Sequence, residues 1–175
     1  MKSALLRELL AARRTAGTPD LATALQACGL PIATVWGVSF VEIYGHHYAP
    51  VAGGKPAIIT PLFHDGELLD LVATGLQTRS TRTRQGIATV LGREWIDHAK
   101  ETETTLRLFG DPIEWLRNGG RGAVVVDWRS ARHALADVPG IACETEFLAA
   151  QVERAMHQPV SLPKLFVREA HRAAA

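Results

Sequence analysis

The sequence predicts an α+β fold: an N-terminal helical hairpin, a central antiparallel meander and a C-terminal β-α-β-α-β crossover unit, packed on one core. Three observations carry that expectation. Leu5, Leu6, Leu9 and Leu10 recur at a spacing that draws one apolar stripe along a helix. Two apolar runs flank Asp65-Gly66, the preferred dipeptide for a type I′ hairpin turn. The last third alternates strand-like and helix-like segments, the order that builds a parallel sheet through crossover connections.

Taken in order, the first helix covers 2–15 and stops at Ala16-Gly17. Thr18-Pro19-Asp20 reads as N-cap, first helical position and acidic first turn of a second helix, which Gly29 ends. Residues 32–51 are rich in β-branched and aromatic side chains and predict one or two strands. The Asp-Gly hairpin follows. GIATVLG predicts a further strand, REWIDHAK a helical turn and TTLRLF another strand. Asp111-Pro112 caps a short helix, PIEWLRN, closed by Gly119-Gly120. GAVVVDW has no alternation, as expected of a strand buried on both faces. RSARHALAD is a short helix and IACE a strand. ETEFLAAQVERAMHQ is a helix with Phe147, Leu148, Val152 and Met156 on one side, and PKLFVRE is a last strand. The expected organisation is one domain over 1–175: helical hairpin 1–30, meander 32–109, α/β unit 110–169 and a frayed tail 170–175.

With 175 residues, 47% of them hydrophobic and 21% charged, the chain can bury a core without a metal or disulfide staple. A net charge of +1 argues against a broadly basic nucleic-acid binder and leaves room for a local basic patch. Cys28 and Cys143 fall in no CxxC or Cys/His spacing, and their apolar surroundings predict buried free thiols in a reducing compartment. No apolar run reaches the ~18 residues that span a bilayer, so no membrane partner is expected. Arg7 and Glu8 interrupt the apolar start, which leaves a cytoplasmic location as the expectation.

Four stretches could carry function. In LQTRSTRTRQG, Arg79, Arg82 and Arg84 stand among Thr78, Ser80, Thr81 and Thr83 with no acid. Guanidinium and hydroxyl groups both donate to phosphate oxygens. In an extended chain Arg82 and Arg84 share one face and Arg79 takes the other. A solvated turn or edge strand explains the same composition without a ligand. Asp127 and Glu144 close two strands of the α/β unit, where ligands of open α/β sheets bind, with Arg129 close by in sequence. Two carboxylates there could hold Mg²⁺ or exchange protons; equally, they could complement the helices that follow. His46 and His47, adjacent on a strand, point to opposite faces, and His46 with His64 lacks a third metal ligand, so no metal site is assigned. The second helix, with Thr23 and Gln26, carries no Arg or Lys with which to read DNA. Trp95, Trp115 and Trp128 are read as finishing the core.

The phrases ITPLFHDGELLDLVA, LFGDPIEWLRNGGRGAVVVDW and GIACETEFLAAQVERAM resemble a family of small proteobacterial proteins without assigned activity, and the likeness implies no catalytic residue. The alternation of the last third also resembles Toprim domains of primases and topoisomerases. Those place a glutamate after the first strand and a DxD pair after a later one; Asp127 stands near the first place, and no DxD occurs. Taken together, the leading expectation is a non-catalytic accessory protein, without cofactor, that holds a phosphorylated or nucleic-acid partner through Arg82 and Arg84. The alternatives are a Mg²⁺-dependent phosphotransfer or nuclease-like enzyme using Asp127 and Glu144, and a homodimer assembled on the hairpin edge.

Overall fold

A computed structural model describes residues 2–157. The chain is α+β, with its strands divided between two sheets. In order the elements are α1 (Lys2–Thr15), α2 (Pro19–Ala27), β1 (Gly37–Tyr44), β2 (His47–Pro50), β3 (Lys55–His64), β4 (Glu67–Gly75) and β5 (Thr81–Thr83). There follow β6 (Val90–Leu91), α3 (Arg93–Glu101), β7 (Thr105–Phe109), α4 (Pro112–Arg117), β8 (Ala123–Val125), α5 (Ala131–Leu135), β9 (Gly140–Cys143) and α6 (Glu146–Met156). The strand expected at PKLFVRE and the tail lie outside the described residues.

The first sheet is a meander that closes on itself. Its strands pair in the ring β1-β2-β5-β4-β3, with β1 returning to β3. The Asp-Gly turn forms as expected: His64 pairs with Glu67, and Asp65 and Gly66 both take positive φ, 49° and 77°. Closure depends on a pairing that a meander does not contain, the parallel bridge between His47 of β2 and Thr83 of β5. The Arg/Thr stretch is therefore not an edge. Its strand is paired on one side to β4 and on the other to β2.

The second sheet has the order β6-β8-β7-β9. Strands β7, β8 and β9 run parallel, linked by α4 and α5, so parallel crossover connections begin at β7, ahead of the α/β unit expected over 110–169, whose last expected strand lies outside the described residues. The meander expected over 32–109 ends earlier, because β6 and β7 join this sheet instead. Only Val90–Leu91 of GIATVLG forms a strand. The backbone just before it makes other hydrogen bonds, described below.

Burial follows the strand alternation. Ala57 and Ile59 of β3, with Leu71 and Ala73 of β4, meet Leu5, Leu9 and Ala12 of α1 in one cluster. Ile58 and Val72 point the other way, into a cluster with Leu21 and Leu25 of α2, Ile113 of α4, and Phe109 and Val124 of the second sheet. The two N-terminal helices thus bury Leu5 and Leu9, and Leu21 and Leu25, in separate clusters rather than in a shared hairpin seam, while Leu6 and Leu10, expected on the same stripe, stay exposed. Each fully buried Leu or Ile contributes roughly 1.5–3 kcal/mol, so both attachments are strong. A third cluster joins Leu106, Leu108 and Ala123 to Leu148 and Val152 of α6.

Several local expectations need correction. Phe147 is 80% exposed, whereas Leu148, Val152 and Ala155 are buried. Neighbouring helix positions lie about 100° apart, so Phe147 and Leu148 cannot both centre the buried face. Both cysteines are free but only partly buried. Thr18 stands at the N-cap of α2 without capping it, because its hydroxyl donates to the Thr15 carbonyl. Asp111 does cap α4, accepting from the Ile113 and Glu114 amides at 2.7 and 3.2 Å. None of the described helices is long and apolar enough to cross a membrane.

Candidate functional site

A polar cleft of about 440 Å³ opens between the closed sheet and the carboxyl end of β8. Three backbone segments build it. The β1–β2 hairpin brings His46 and His47. Strand β5 and the loop after it bring Thr81, Arg82, Thr83, Gln85 and Gly86. The turn after β8 brings Asp127 and Arg129.

The hairpin is tight. Tyr44 pairs with His47, leaving Gly45 and His46 as a two-residue turn, and Gly45 takes φ 60°. The bridge from His47 to Thr83 then sets the histidines beside β5.

Arg82 is held by two backbone carbonyls. Its Nε donates to Gly45 O at 2.9 Å and its Nη1 to Thr81 O at 2.7 Å. Neither partner is charged. Among the described residues Arg82 has no ion pair, so its positive charge stands uncompensated at the cleft wall.

The loop over residues 84–88 is shaped by Asp70, which is fully buried on β4. Its Oδ1 accepts the amide N–H groups of Leu71, Arg84 and Gln85 at 2.8, 3.1 and 2.9 Å. Its Oδ2 accepts those of Ile87 and Ala88 at 2.8 and 3.0 Å. The carboxylate thus replaces a strand ladder, which is why GIATVLG is mostly not strand. Only the Gly86 N–H in this run is left outside the set. Gly86 takes φ 79°, and a Cβ there would lie 2.9 Å from Cε1 of His47. The positive φ favours glycine, and a Cβ there would also push the His47 ring aside.

Opposite, Asp127 follows β8 and is tied back by its N–H to Thr89 O at 3.1 Å. Its Oδ1 accepts from the Arg129 backbone N–H at 3.1 Å and from Arg129 Nε at 3.0 Å. Its Oδ2 accepts from Arg129 Nη2 and from Ser130 Oγ, each at 3.3 Å. Partial burial pushes the Asp127 carboxyl up, but the hydrogen bonds and charge of Arg129 and the Ser130 hydroxyl outweigh it and hold the group below its ordinary range. The same bonds raise the Arg129 guanidinium further.

The remaining sequence candidates lie elsewhere. Arg79, with φ 57°, pairs with Asp111 at 3.2 Å and Glu114 at 3.5 Å, bracing the turn after β4 against α4. Arg84 donates from Nε to Glu8 Oε2 at 2.9 Å and so fastens α1 to the sheet. Glu144 accepts from the Gly110 N–H at 3.4 Å, at the ends of β7 and β9, and is not among the residues lining the cleft. Strand β7 lies between the strands that carry Asp127 and Glu144. His64 sits at the far hairpin beside Asp65. Among the described residues no three His, Cys, Asp or Glu side chains come together as a metal group.

No protein-family model matches the chain, and no curated protein or solved structure matches it. Two guanidinium groups, two imidazoles and two hydroxyls surround one carboxylate, and that carboxylate is already engaged by Arg129 and Ser130. Such a lining offers many hydrogen-bond donors and an excess of positive charge. Sequence reasoning paired Arg82 with Arg84. It missed the pairing of Arg82 with the two histidines, and it missed Asp70. The only trace of Asp70 was an acid amid the apolar run ELLDLVA, where burial demands partners.

Proposed function

We propose that this protein is a non-catalytic binding protein whose cleft holds a compact phosphorylated ligand. The observation that carries the reading is the convergence of Arg82, uncompensated by any carboxylate, with Arg129, His46, His47, Thr81 and Thr83 around one cleft. Phosphate oxygens accept hydrogen bonds from guanidinium, imidazole N–H and hydroxyl groups alike. A volume of about 440 Å³ suits a nucleotide-sized molecule or a phosphorylated side chain.

The other arginines of the Arg/Thr stretch favour a compact ligand over a long nucleic-acid track. Arg79 and Arg84 are neutralised by Asp111, Glu114 and Glu8, which removes them from an extended basic surface. The separate engagements of Asp127 and Glu144 favour binding over Mg²⁺-dependent chemistry.

Calorimetric titration at low salt with nucleoside monophosphates and sugar phosphates tests the proposal. Saturable binding is expected, weakened about tenfold or more by Arg82→Ala and by Arg129→Ala. Added salt weakens it further, because partly exposed charges are screened. If none of these phosphates binds at low salt, the reading fails.

A further inference from the structure

Three of the four tryptophans of the chain, Trp36, Trp95 and Trp115, line a second hollow of about 350 Å³ that shares no residue with the polar cleft. Its floor includes the open backbone of Gly119-Gly120. Among the described residues, the polar side chains lining it besides the indoles are Thr34 and Glu94. Glu94 is exposed and has no ion pair or hydrogen bond among the described residues. We propose that this hollow binds a methylated ammonium group, held against the accessible indoles of Trp36 and Trp95, with Glu94 supplying the counter-charge.

The rings are held before any ligand arrives. Trp115 is buried, and its Nε1 donates to Gly122 O at 2.9 Å. Trp95 meets the His98 ring edge-on at 6.0 Å. Trp36 packs against Phe63 at 5.9 Å and remains 47% exposed, a large apolar surface to leave to water.

Charge complementarity selects the occupant. Among the described residues the hollow has aromatic walls and a single carboxylate, with no cationic side chain lining it. A sugar would need several polar side chains for its hydroxyls, and among the described residues the hollow offers Thr34 and Glu94. A quaternary ammonium is weakly hydrated and needs only π faces and a negative charge. The adjoining hollow, which shares Thr34 and Trp36, carries Arg13, so like-charge repulsion places the cation at the Glu94 end.

Titration of the full chain with choline, followed by tryptophan fluorescence and indole N–H resonances, tests this. Saturable shifts at Trp36 and Trp95 are expected, with choline binding about tenfold tighter than its neutral tert-butyl isostere. Trp36→Ala should weaken choline binding about tenfold, Trp36→Phe much less, and Glu94→Gln about threefold. Both side chains are exposed, so these variants keep their fold, which thermal melting verifies. Arg82→Ala should leave choline binding unchanged, which separates this site from the phosphate cleft. The proposal is overturned by equal affinity for choline and its neutral isostere, by absence of saturation, or by indifference to Trp36→Ala. Binding of a proline-rich peptide or a monosaccharide without any response to choline also overturns it.

Discussion

The buried carboxylate of Asp70 accepts the Gln85 N–H at 2.9 Å and, through its second oxygen, the Ile87 N–H at 2.8 Å. One side chain on β4 thereby folds the loop that forms a wall of the polar cleft. Five amide donors converge on it, so Asp70→Asn presents an NH₂ group to some of them. The expected loss is about 2–4 kcal/mol in urea unfolding. Hydrogen exchange at Arg84, Gln85, Ile87 and Ala88 should accelerate more than at β3. Unchanged protection at those four amides would refute this role.

Tyr48 makes alkaline stability a second readout. Its hydroxyl is buried and donates to Glu8 Oε1 at 2.8 Å, while Glu8 also holds Arg84. Burial first, and then the Glu8 charge and hydrogen bond, drive its phenol far above the ordinary tyrosine value. A raised folded value means that the stabilisation is complete below the unfolded value of about 10 and is lost as pH rises beyond it. Stability should therefore fall steeply above about pH 10, with Tyr48 ionising only on unfolding, whereas exposed Tyr44 ionises in the native state. In Tyr48→Phe that alkaline slope should flatten. A slope identical to the parent's would show that Tyr48 does not control it.

Thr60 and Thr74 carry buried hydroxyls without partners among the described residues. They pair across the sheet with Val72 and Ile58, on the face that meets α2 and the second sheet. A lone buried hydroxyl is costly, and valine has nearly its shape. Thr74→Val should raise stability by about 1 kcal/mol, read as a higher urea midpoint at unchanged slope. Destabilisation instead would reveal a polar partner for that hydroxyl, such as buried water.

These cases separate what the sequence could show from what it could not. Local signals were legible: the Asp-Gly turn, the Asp111 cap and the β7-α4-β8-α5-β9 alternation each rest on residues a few positions apart. The site was less so. Arg84 meets Glu8 across 76 positions. His47 meets Thr83 only because a short parallel bridge closes the ring. Neither pairing leaves a periodic trace, and an Arg/Thr strand with neighbours on both sides has the same composition as a free edge. Asp127 and Arg129 were readable as candidates because they follow an unbroken apolar strand. Glu144 obeyed the same rule, yet strand order set β7 between them, and order is not written in any single strand.

Asp127 is the residue on which the binding reading and the enzymatic alternative diverge. Its carboxylate both occupies Arg129 and adds negative charge to the cleft. Asp127→Asn removes that charge and loosens its hold on the guanidinium, so a phosphate ligand should bind about three- to tenfold tighter. Below the ordinary carboxylate range the parent should approach the variant. The folded value of Asp127 is lowered, so its pairing stabilises the fold above about pH 3.9 and is lost only as pH falls through that lower value. The gap in affinity between parent and variant should therefore persist down to mildly acidic pH. A carboxylate that held Mg²⁺ for phosphotransfer predicts the opposite sign, with Asp127→Asn abolishing metal-dependent binding and turnover. Calorimetry with a nucleoside monophosphate, with and without Mg²⁺, measures that sign directly; weaker binding by the variant would count against the proposed function.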